Sequence, residues 1–407
     1  MGSLIALAGI VVLIAAAVAL STNRRAIRLR VVASAFVLQA VIAVLALYLP
    51  AGQVVIAAMS DGVMSVIGFA NQGISMIFGE LFTNQQYPIF AINVLPTIVF
   101  FASLMAVLYH IGLMQWVVRI LGSALQKMLG TGPVESLNAA ANVFVGFTEA
   151  PLVVKPYLGM VTRPQMFAIM TSGTASVAGT VLAAYAGMGA ELKYLLAASF
   201  MAAPGGLLMA KLIMPDDLGG PQHTAQSVGH IDVPKEKNVF LAAASGAQEG
   251  VRLAVMIGAM LLCFVALIAL FNGMVGALFG WFGVDGITLE WLLGHAFSPI
   301  MWLIGIPWEE AQVAGSLFGK KLILNEFVAF LDFGQVRETL SPRAAAIVTF
   351  SLCGFANLSA IAILLGGLGV LVPAQRELVG QLGLRAVAAG SLSNLMSAAM
   401  AGLLLSF

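Results

Sequence analysis

Charged residues are scarce in this chain of 407 residues. Asp, Glu, Lys and Arg make up 9% of it, whereas 60% of the residues are hydrophobic. A soluble domain usually contains about 25% charged residues. The composition therefore excludes an ordinary soluble globule and indicates a polytopic membrane protein. The net charge of +1, without a basic cluster, gives no sign of a nucleic-acid partner.

Cysteine is also rare. Cys263 and Cys353 both lie in apolar segments, so we expect no disulfide framework and interpret both as small buried hydrophobic residues. The N-terminal run GSLIALAGIVVLIAAAVAL has no basic region before it and no clear cleavage site. It is therefore predicted to be a retained first span and not a signal peptide.

Long apolar runs are abundant, and a transmembrane helix needs about 20 mostly apolar residues. Ala51–Thr83 is spaced by glycines and is predicted to be too interrupted to span, whereas Gln115–Gly130 has the pattern of an interfacial helix. Pro215–Asn238 is the one clearly hydrophilic linker. The predicted spans are Ser3–Leu20, Val31–Leu49, Ile89–Ile111, Gln165–Ala186, Tyr194–Met214, Gly250–Phe282, Ala344–Leu371 and Leu384–Phe407.

Lys and Arg are distributed unevenly between the predicted loops. Four arginines lie between positions 24 and 30, whereas Ala51 to Tyr109 contains neither Lys nor Arg. Because cytoplasmic loops are enriched in these residues, the pattern predicts eight spans with both termini outside the cytoplasm. One re-entrant segment would then enter from each side of the membrane.

The two halves of the chain repeat one order of features. Glu149 follows Glu135 by 14 residues, and Glu326 follows Glu310 by 16 residues. A Gly- and Ser-rich span comes next in each half, TSGTASVAGTVLAAY or SLCGFANLSAIAILLGGLG. Inverted repeats with broken helices are typical of secondary transporters. We therefore predict an all-α polytopic membrane protein with eight transmembrane helices, two re-entrant hairpins, interfacial helices and an inverted repeat.

Glu149 and Glu326 lie in apolar segments beside residues that interrupt helices. A carboxylate at the bilayer centre costs about 2.5–3.5 kcal/mol on insertion scales, and irregular backbone at that depth is tolerated only where it lines a cavity. We therefore favour a functional site over the alternative that each only caps a half-helix. Glu135, Glu309 and Glu310 stand beside turns and are assigned capping or interfacial roles.

Asn142 and Ser176 place neutral oxygen atoms near Glu149 in the sequence. Such oxygens, with carbonyls freed from an unwound helix, can coordinate sodium, and Gly173 and Gly179 would permit unwinding. Small polar residues also form ordinary hydrogen bonds between membrane helices. On these two residues alone, that second interpretation is favoured.

Several segments resemble the concentrative nucleoside transporters: FVGFTEAPLVVKPYL, ASVAGTVLAAYAGMG, AASFMAAPGGLLMAKLIMP, NEFVAF and SLCGFANLSAIAILLGGLG. The resemblance runs nearly end to end. It implies a homotrimer in the bacterial inner membrane that takes up nucleosides with a sodium or proton gradient. Sodium is the favoured coupling ion, and no organic cofactor is expected. The predicted parts are scaffold helices over 1–113, a first repeat over 114–214, a cytoplasmic linker over 215–238, a long scaffold helix over 239–285, a second repeat over 286–371 and a C-terminal helix over 372–407.

The resemblance also implies the site residues. Thr148 and Glu149 would bind the nucleobase, while Glu326 and Asn357 would bind the ribose. The complete implied substrate set is Gly146, Phe147, Thr148, Glu149, Val181, Glu326, Phe355, Asn357 and Ala360. The implied sodium ligands are Asn142, the Val145 carbonyl, Ser176 and the Val177 carbonyl.

Two positions depart from the family pattern. Phe147 stands where the family has a Gln that reads the base, and Ala360 stands where it has a Ser. Ser359 is not expected to replace that hydroxyl, because neighbours on a helix point about 100° apart. The substrate would then be a modified or otherwise different nucleoside, or water would fill the gaps. Alternatively, Phe147 turns away into packing.

Three other functions stay open on the sequence. A nucleoside symporter coupled to protons through Glu149 or Glu326 is the nearest. A channel would pass substrate without responding to a gradient. An intramembrane enzyme would need a third catalytic group such as His, but the four histidines fall near segment ends or in the linker. They are His110, His223, His230 and His295.

Overall fold

The computed structural model describes residues 2–83, 89–216, 236–281, 283 and 286–405, and within them the chain is helical with no strand. Most of the predicted linker, together with His223 and His230, lies outside the described residues, as do Phe282 and Phe407. The all-α prediction is confirmed.

The N-terminal part ends in a helix that lines the site described below. Its α-helices are α1 (Gly2–Ala19), α2 (Leu29–Leu47), α3 (Pro50–Phe78), α4 (Glu80–Thr83), α5 (Phe90–Asn93) and α6 (Leu95–His110), with a short 3-10 helix over Arg24–Ala26.

The prediction that Ala51–Thr83 is too interrupted is wrong, because α3 runs without a break for 29 residues. Each glycine inside a helix costs only about 1 kcal/mol relative to Ala, which does not break a continuous hydrogen-bond ladder. Pro50 stands in the first turn, where a proline is tolerated. The helix ends at Gly79, whose φ of 55° leaves helical geometry.

Two series of helices then follow in the same order, separated by the long helix α13. The first series is α7 (Leu113–Leu129), α8 (Pro133–Ala141), a 3-10 helix (Ala150–Val154), α9 (Lys155–Leu158), α10 (Arg163–Ala175), α11 (Gly179–Gly187) and α12 (Leu192–Ile213). After α13 (Val239–Gly280), the second is α14 (Leu289–Leu303), α15 (Trp308–Ile323), α16 (Glu326–Val336), α17 (Pro342–Leu352), α18 (Ser359–Leu371) and α19 (Arg376–Leu404), with 3-10 helices at Arg337–Thr339 and Pro373–Gln375.

The elements of the two series follow each other along the chain in the same order. An amphipathic helix comes first (α7 or α14), then a helix that leads to an acidic tip (α8 or α15), and then a broken pair (α10–α11 or α17–α18) and a long helix (α12 or α19). The breaks fall at residues 176–178 and 353–358. The repeated order predicted from the sequence is therefore present. The re-entrant geometry and the domain boundaries stay predictions.

Seven described helices are long and apolar enough to cross a membrane, or eight if α14 and α15, bent by 117°, count as one span. Six of the predicted spans coincide with these helices, and α3 is the seventh. The predicted span Ser3–Leu20 forms the shorter helix α1, and Ala344–Leu371 forms the broken pair α17–α18.

The capping roles predicted for two glutamates are confirmed. Glu135 accepts a hydrogen bond from the Gly132 N–H at 2.7 Å, within the capping box of α8. Glu310 accepts from both the N–H and the hydroxyl of Ser341, where α17 begins. Glu309 is exposed in the first turn of α15.

Both cysteines are free, as expected. Cys353 is buried, but Cys263 is exposed, so the expectation of burial is wrong for that residue. Cys263 lies on α13, whose apolar face is mostly uncovered within the chain.

Candidate functional site

A cavity of about 710 Å³ lies between two parts of the fold. One wall is formed by α6 and α13, which pack closely along each other. Gly250 permits this approach, because a Cβ there would stand 2.6 Å from the Cα of Val99. The opposite wall is formed by segments where helices end or break. The irregular backbone thus borders a cavity, as it must if it lies within a membrane.

The cavity brings together most of the predicted substrate residues, although they are distant in sequence. Those that line it are Gly146, Phe147, Thr148, Glu149, Val181, Glu326, Phe355 and Asn357. Ala360 does not line it but is buried, and its N–H donates to Asn357 Oδ1 at 2.8 Å. Of the predicted sodium ligands, Val145 lines the cavity, and Asn142, Ser176 and Val177 are buried outside its lining.

Residues 142–149 connect α8 to the next short helix without regular structure of their own. Pro151 follows directly, and a proline there disfavours a helix continuing through the segment. Gly173 of α10 lets the segment pack closely, because a Cβ on it would stand 2.7 Å from the Cβ of Phe147. The Gly179 N–H also donates to the Phe144 carbonyl at 3.0 Å. These contacts hold the segment against the break between α10 and α11.

Glu149 presents an exposed side chain to the cavity. Its backbone N–H donates to the Gly146 carbonyl at 3.0 Å, and its carboxylate lies beside Thr148 and the Gly146 backbone. It forms no ion pair within the described part of the chain. The carboxylate therefore borders the cavity with neutral groups of its own segment beside it.

Glu326 is held much more tightly, at the first position of α16. Asn325 caps that helix by accepting from the Val328 N–H at 2.9 Å. The Glu326 carboxylate accepts from the Tyr185 hydroxyl at 3.2 Å and from Asn357 Nδ2 at 2.8 Å. It is only 3% exposed, so its position is fixed by protein groups on both oxygens.

Two aromatic residues of the lining pack against each other. The rings of Phe147 and Phe355 have centroids 5.1 Å apart and are tilted by 43°. Phe147 is 7% exposed, yet it still borders the cavity. The ring therefore packs against Phe355 and presents an apolar surface to the site.

The two broken helix pairs are joined by hydrogen bonds at their breaks. The Phe355 N–H donates to the Ser176 carbonyl at 3.0 Å. Asn394 of α19 donates through Nδ2 to the carbonyls of Ala175 (2.6 Å) and Cys353 (3.0 Å), at the ends of α10 and α17. One amide therefore satisfies the C-terminal carbonyls of both half-helices, which would otherwise lack partners.

One of the predicted sodium residues carries an unpartnered oxygen. Asn142 donates through Nδ2 to the Ser172 hydroxyl at 3.3 Å, but its buried Oδ1 has no hydrogen-bond partner among the described residues. Ser176 is buried where α10 ends, and its hydroxyl donates to the Gly173 carbonyl at 3.2 Å. A buried acceptor without a donor costs free energy, which a cation at this place would offset.

Several residues of the site were not identified from the sequence. Tyr185 does not line the cavity but contacts Glu326 as described. Ser359 lines the cavity and donates to Asn357 Oδ1 at 2.7 Å. The expectation that Ser359 cannot serve here rested on regular helix geometry, but this residue is only the first of α18. Tyr109 and His110 line the other wall, at the end of α6. The Tyr109 hydroxyl and His110 Nδ1 have no hydrogen-bond partner among the described residues.

Three family models match consecutive parts of the chain. A model described as "Na+ dependent nucleoside transporter C-terminus" matches residues 194–402, and one described as "Na+ dependent nucleoside transporter N-terminus" matches residues 8–81. A third, "Gate: Nucleoside recognition", matches residues 91–192. Together they include every residue of the cavity lining.

Relatives match the chain along nearly its whole length. An uncharacterized transporter of Haemophilus influenzae is 50% identical, over 99% of this chain and 98% of its own. The nucleoside permease NupC of Helicobacter pylori is 45% identical, over 98% of this chain and 97% of its own. The solved structure of CNTnw in an inward-facing substrate-bound state is 50% identical, with a TM-score of 0.95 over 100% of this chain and 98% of that one. The chain is therefore a multi-pass membrane protein that belongs to the concentrative nucleoside transporter family.

Proposed function

We propose that this protein imports nucleosides by symport with sodium. The observation that carries the proposal is the convergence of Thr148, Glu149, Glu326 and Asn357 on one cavity, beside the unpartnered Asn142 Oδ1. A nucleoside offers donors and acceptors on both its base and its ribose. Two carboxylates and an amide in the lining of one mostly apolar cavity match that distribution.

The nucleobase would lie at the segment 146–149. Glu149 is exposed there and can accept hydrogen bonds from the base, while Val181 and the Phe147 ring supply apolar contact. The ribose would lie at Glu326 and Asn357, whose positions are fixed by hydrogen bonds. Ser359 adds a hydroxyl at this end, where Ala360 leaves none.

Sodium would bind beside this site and not within it. Asn142 Oδ1 and the Ser176 hydroxyl are neutral oxygens, a type that sodium accepts, and the Val145 and Val177 carbonyls belong to irregular backbone. A bound cation would hold segment 142–149 against the break of α10–α11 and so position Thr148 and Glu149. Ion and nucleoside would then share one coupling free energy, and each would raise the affinity for the other.

Uptake of labelled nucleoside into proteoliposomes tests this proposal. An inward sodium gradient should drive accumulation above the outside concentration, whereas choline at the same ionic strength should not. Accumulation driven by a proton gradient in choline buffer would contradict sodium coupling and favour protonation of Glu149 or Glu326. Equilibration without accumulation under either gradient would indicate a channel, and conversion of the nucleoside would indicate an enzyme.

Competition by a panel of nucleosides would identify the substrate. Because Phe147 offers an apolar face where an amide would read a base edge, we propose weak discrimination between bases and tolerance of a larger or modified base. A strict preference for uridine and cytidine would contradict this.

We further propose a homotrimer in the bacterial inner membrane, with both termini outside the cytoplasm. The apolar faces of α3 and α13 are largely exposed, since only 6% and 17% of their most apolar 18-residue stretches are buried within the chain. These faces are therefore open to packing against other copies of the protein. Chemical cross-linking in native membranes and labelling of cysteines introduced near each terminus would test the assembly and the orientation.

A further inference from the structure

Lys321 is the feature of this fold that substrate binding leaves unexplained. It lies on α15, five residues before Glu326, and is fully buried. Its Nζ donates to Asn394 Oδ1 at 2.7 Å and to the Ser351 carbonyl at 3.2 Å. No carboxylate of the described residues lies within 4.0 Å of it.

Within the described residues, the other two buried lysines have carboxylate partners. Lys211 pairs with Glu135 at 2.7 Å and with Asp216 at 2.6 Å. Lys320 pairs with Glu290 at 3.0 Å and with Asp332. A buried charge is normally tolerated only when it is paired or coordinated. Lys321 has no such contact, and the charge of Glu326 acts on it only from beyond 4.0 Å. The groups that contact its ammonium must therefore contribute to its stabilisation.

Helix ends supply that stabilisation. Ser351 lies in the last turn of α17, which ends at Leu352, and a cation is favoured at a helix C-terminus because the carbonyl dipoles point toward it. Asn394, the second acceptor, is the residue that also bonds the terminal carbonyls of α10 and α17. The ammonium thus lies where the carbonyl ends of two half-helices converge.

The first series of helices has the corresponding arrangement without a lysine. There the half-helix α10 ends beside Ser176, and α8 contributes Asn142 with its unpartnered oxygen. In the second series α17 takes the place of α10, and α15, which carries Lys321, takes the place of α8. One series therefore presents oxygen to a cation, while the other contains a cation.

We propose that Lys321 is a tethered cation, which occupies in the second series the place that the coupling ion takes in the first. This inference rests on the proposed sodium site. Lys321 acts as a positioning residue: it fixes the end of α17 and, through Asn394, the break at residues 353–358. That break contains Asn357, which holds Glu326. The ribose side of the site is thus assembled permanently, and only the base side depends on a mobile ion.

Replacement of the lysine tests this assignment in transport. Lys321→Met keeps most of the volume but removes the charge, and we expect nucleoside binding at saturating sodium to weaken about tenfold or more, because Asn394 and Ser351 lose their donor. In Lys321→Ala, millimolar methylammonium should restore uptake, whereas choline should not. Lys211→Ala is the matched control, since it also removes a buried lysine. The carboxylates that Lys211→Ala leaves unpaired would attract methylammonium as well. This variant therefore shows only whether loss of a buried lysine in itself weakens nucleoside binding.

A stability measurement separates this inference from the proposed function. Melting of detergent-solubilised Lys321→Ala should shift upward in methylammonium chloride relative to choline chloride, and the wild type should respond equally to the two salts. This readout needs no transport, so it decides the role of Lys321 even if the wild type fails to move nucleosides. Unchanged nucleoside affinity in Lys321→Met would overturn the proposal. So would equal melting of Lys321→Ala in both salts.

Discussion

The two carboxylates of the cavity are held in opposite ways. Glu326 is buried at the start of α16, and both of its oxygens accept hydrogen bonds from protein side chains. Glu149 is exposed in the cavity, on backbone without regular structure, and forms no ion pair within the described chain. One carboxylate is preorganised by the fold, and the other is left for a ligand to complete.

This difference separates two contributions to binding. A preorganised group needs no rearrangement when the ligand arrives, whereas an exposed group on irregular backbone must be ordered first. We therefore expect changes at Glu326 to affect the fold as well as binding. Changes at Glu149 should affect binding alone, together with whatever orders segment 142–149.

The largest effect is expected for Glu326→Gln. The amide can still accept from Asn357 Nδ2 and donate to the Tyr185 hydroxyl, but neither hydrogen bond then involves a charged group. Since a hydrogen bond to a charged group contributes about 1.5–3 kcal/mol and a neutral one about 0.5–1.5 kcal/mol, the variant should lose nucleoside binding and melt at a lower temperature. Calorimetric binding and a melting curve on the same preparation would show both effects. Normal uptake at neutral pH would contradict the site.

Glu149→Gln should abolish uptake almost as completely as Glu326→Gln does, but it should not change the melting temperature. No described side chain depends on this carboxylate for an ion pair, so its loss leaves the protein intact while removing acceptors for the base. Labelled uptake and the melting curve are again measured together. A drop in stability equal to that of Glu326→Gln would remove the distinction between the two carboxylates.

Asn142→Ala should shift the sodium dependence of uptake. Loss of a direct oxygen ligand is expected to raise the half-saturating sodium concentration by about tenfold, since a hydrogen bond or ligand to a charged group contributes about 1.5–3 kcal/mol. Asn138→Ala is the matched control, because Asn138 is one turn away on α8, equally buried, and also has an unpartnered Oδ1. If both variants shift the sodium dependence alike, the ligand assignment is wrong.

Tyr185→Phe should produce a smaller loss, on the preorganised side. It removes one neutral donor to Glu326 while keeping the ring packed against Phe327 and Phe330. A hydrogen bond to a charged group contributes about 1.5–3 kcal/mol, and this bond is long at 3.2 Å. Nucleoside affinity should therefore fall about tenfold with little change in sodium dependence. A change in sodium dependence without a change in nucleoside affinity would mean that Tyr185 acts on segment 142–149 and not through Glu326.

The smallest effect is expected for Phe147→Gln, which adds an amide to the exposed side. Aromatic pairs contribute about 0.5–1.5 kcal/mol beyond burial, so loss of the contact with Phe355 should change the preference among bases only several-fold. Uridine and cytidine should gain as competitors relative to adenosine and inosine. An unaltered ranking would mean that the Phe147 ring serves packing alone.

The sequence was informative where a residue contradicted its surroundings. Glu149 and Glu326 stand out because a carboxylate in an apolar run is costly unless it serves a site or a cap, and Gly173 and Gly179 indicated the break at residues 176–178. Tyr185 carries no such signal, since a tyrosine in an apolar helix is compatible with simple packing and its partner lies 141 positions away. Periodicity within one helix cannot identify such a contact.

Lys320 and Lys321 show the same limit at closer range. They are adjacent in the sequence, yet one pairs with Glu290 and Asp332 and the other has no carboxylate within reach in the described chain. Neighbours on a helix point about 100° apart, so the partners depend on which helices pack on each side. That packing is a property of the fold and not of the local pattern.

The described lining of the cavity carries four carboxylates, those of Glu149, Glu236, Glu249 and Glu326, but only one guanidinium, that of Arg252. In a space with low-dielectric walls, such an excess of one sign produces a potential that acts on a ligand as a whole. An uncharged nucleoside would meet no net force, whereas a nucleotide would bring its phosphate against this negative field. The two carboxylates proposed to bind the base and ribose, together with Glu236 and Glu249, would therefore disfavour the entry of phosphorylated nucleosides without any residue that recognises a phosphate.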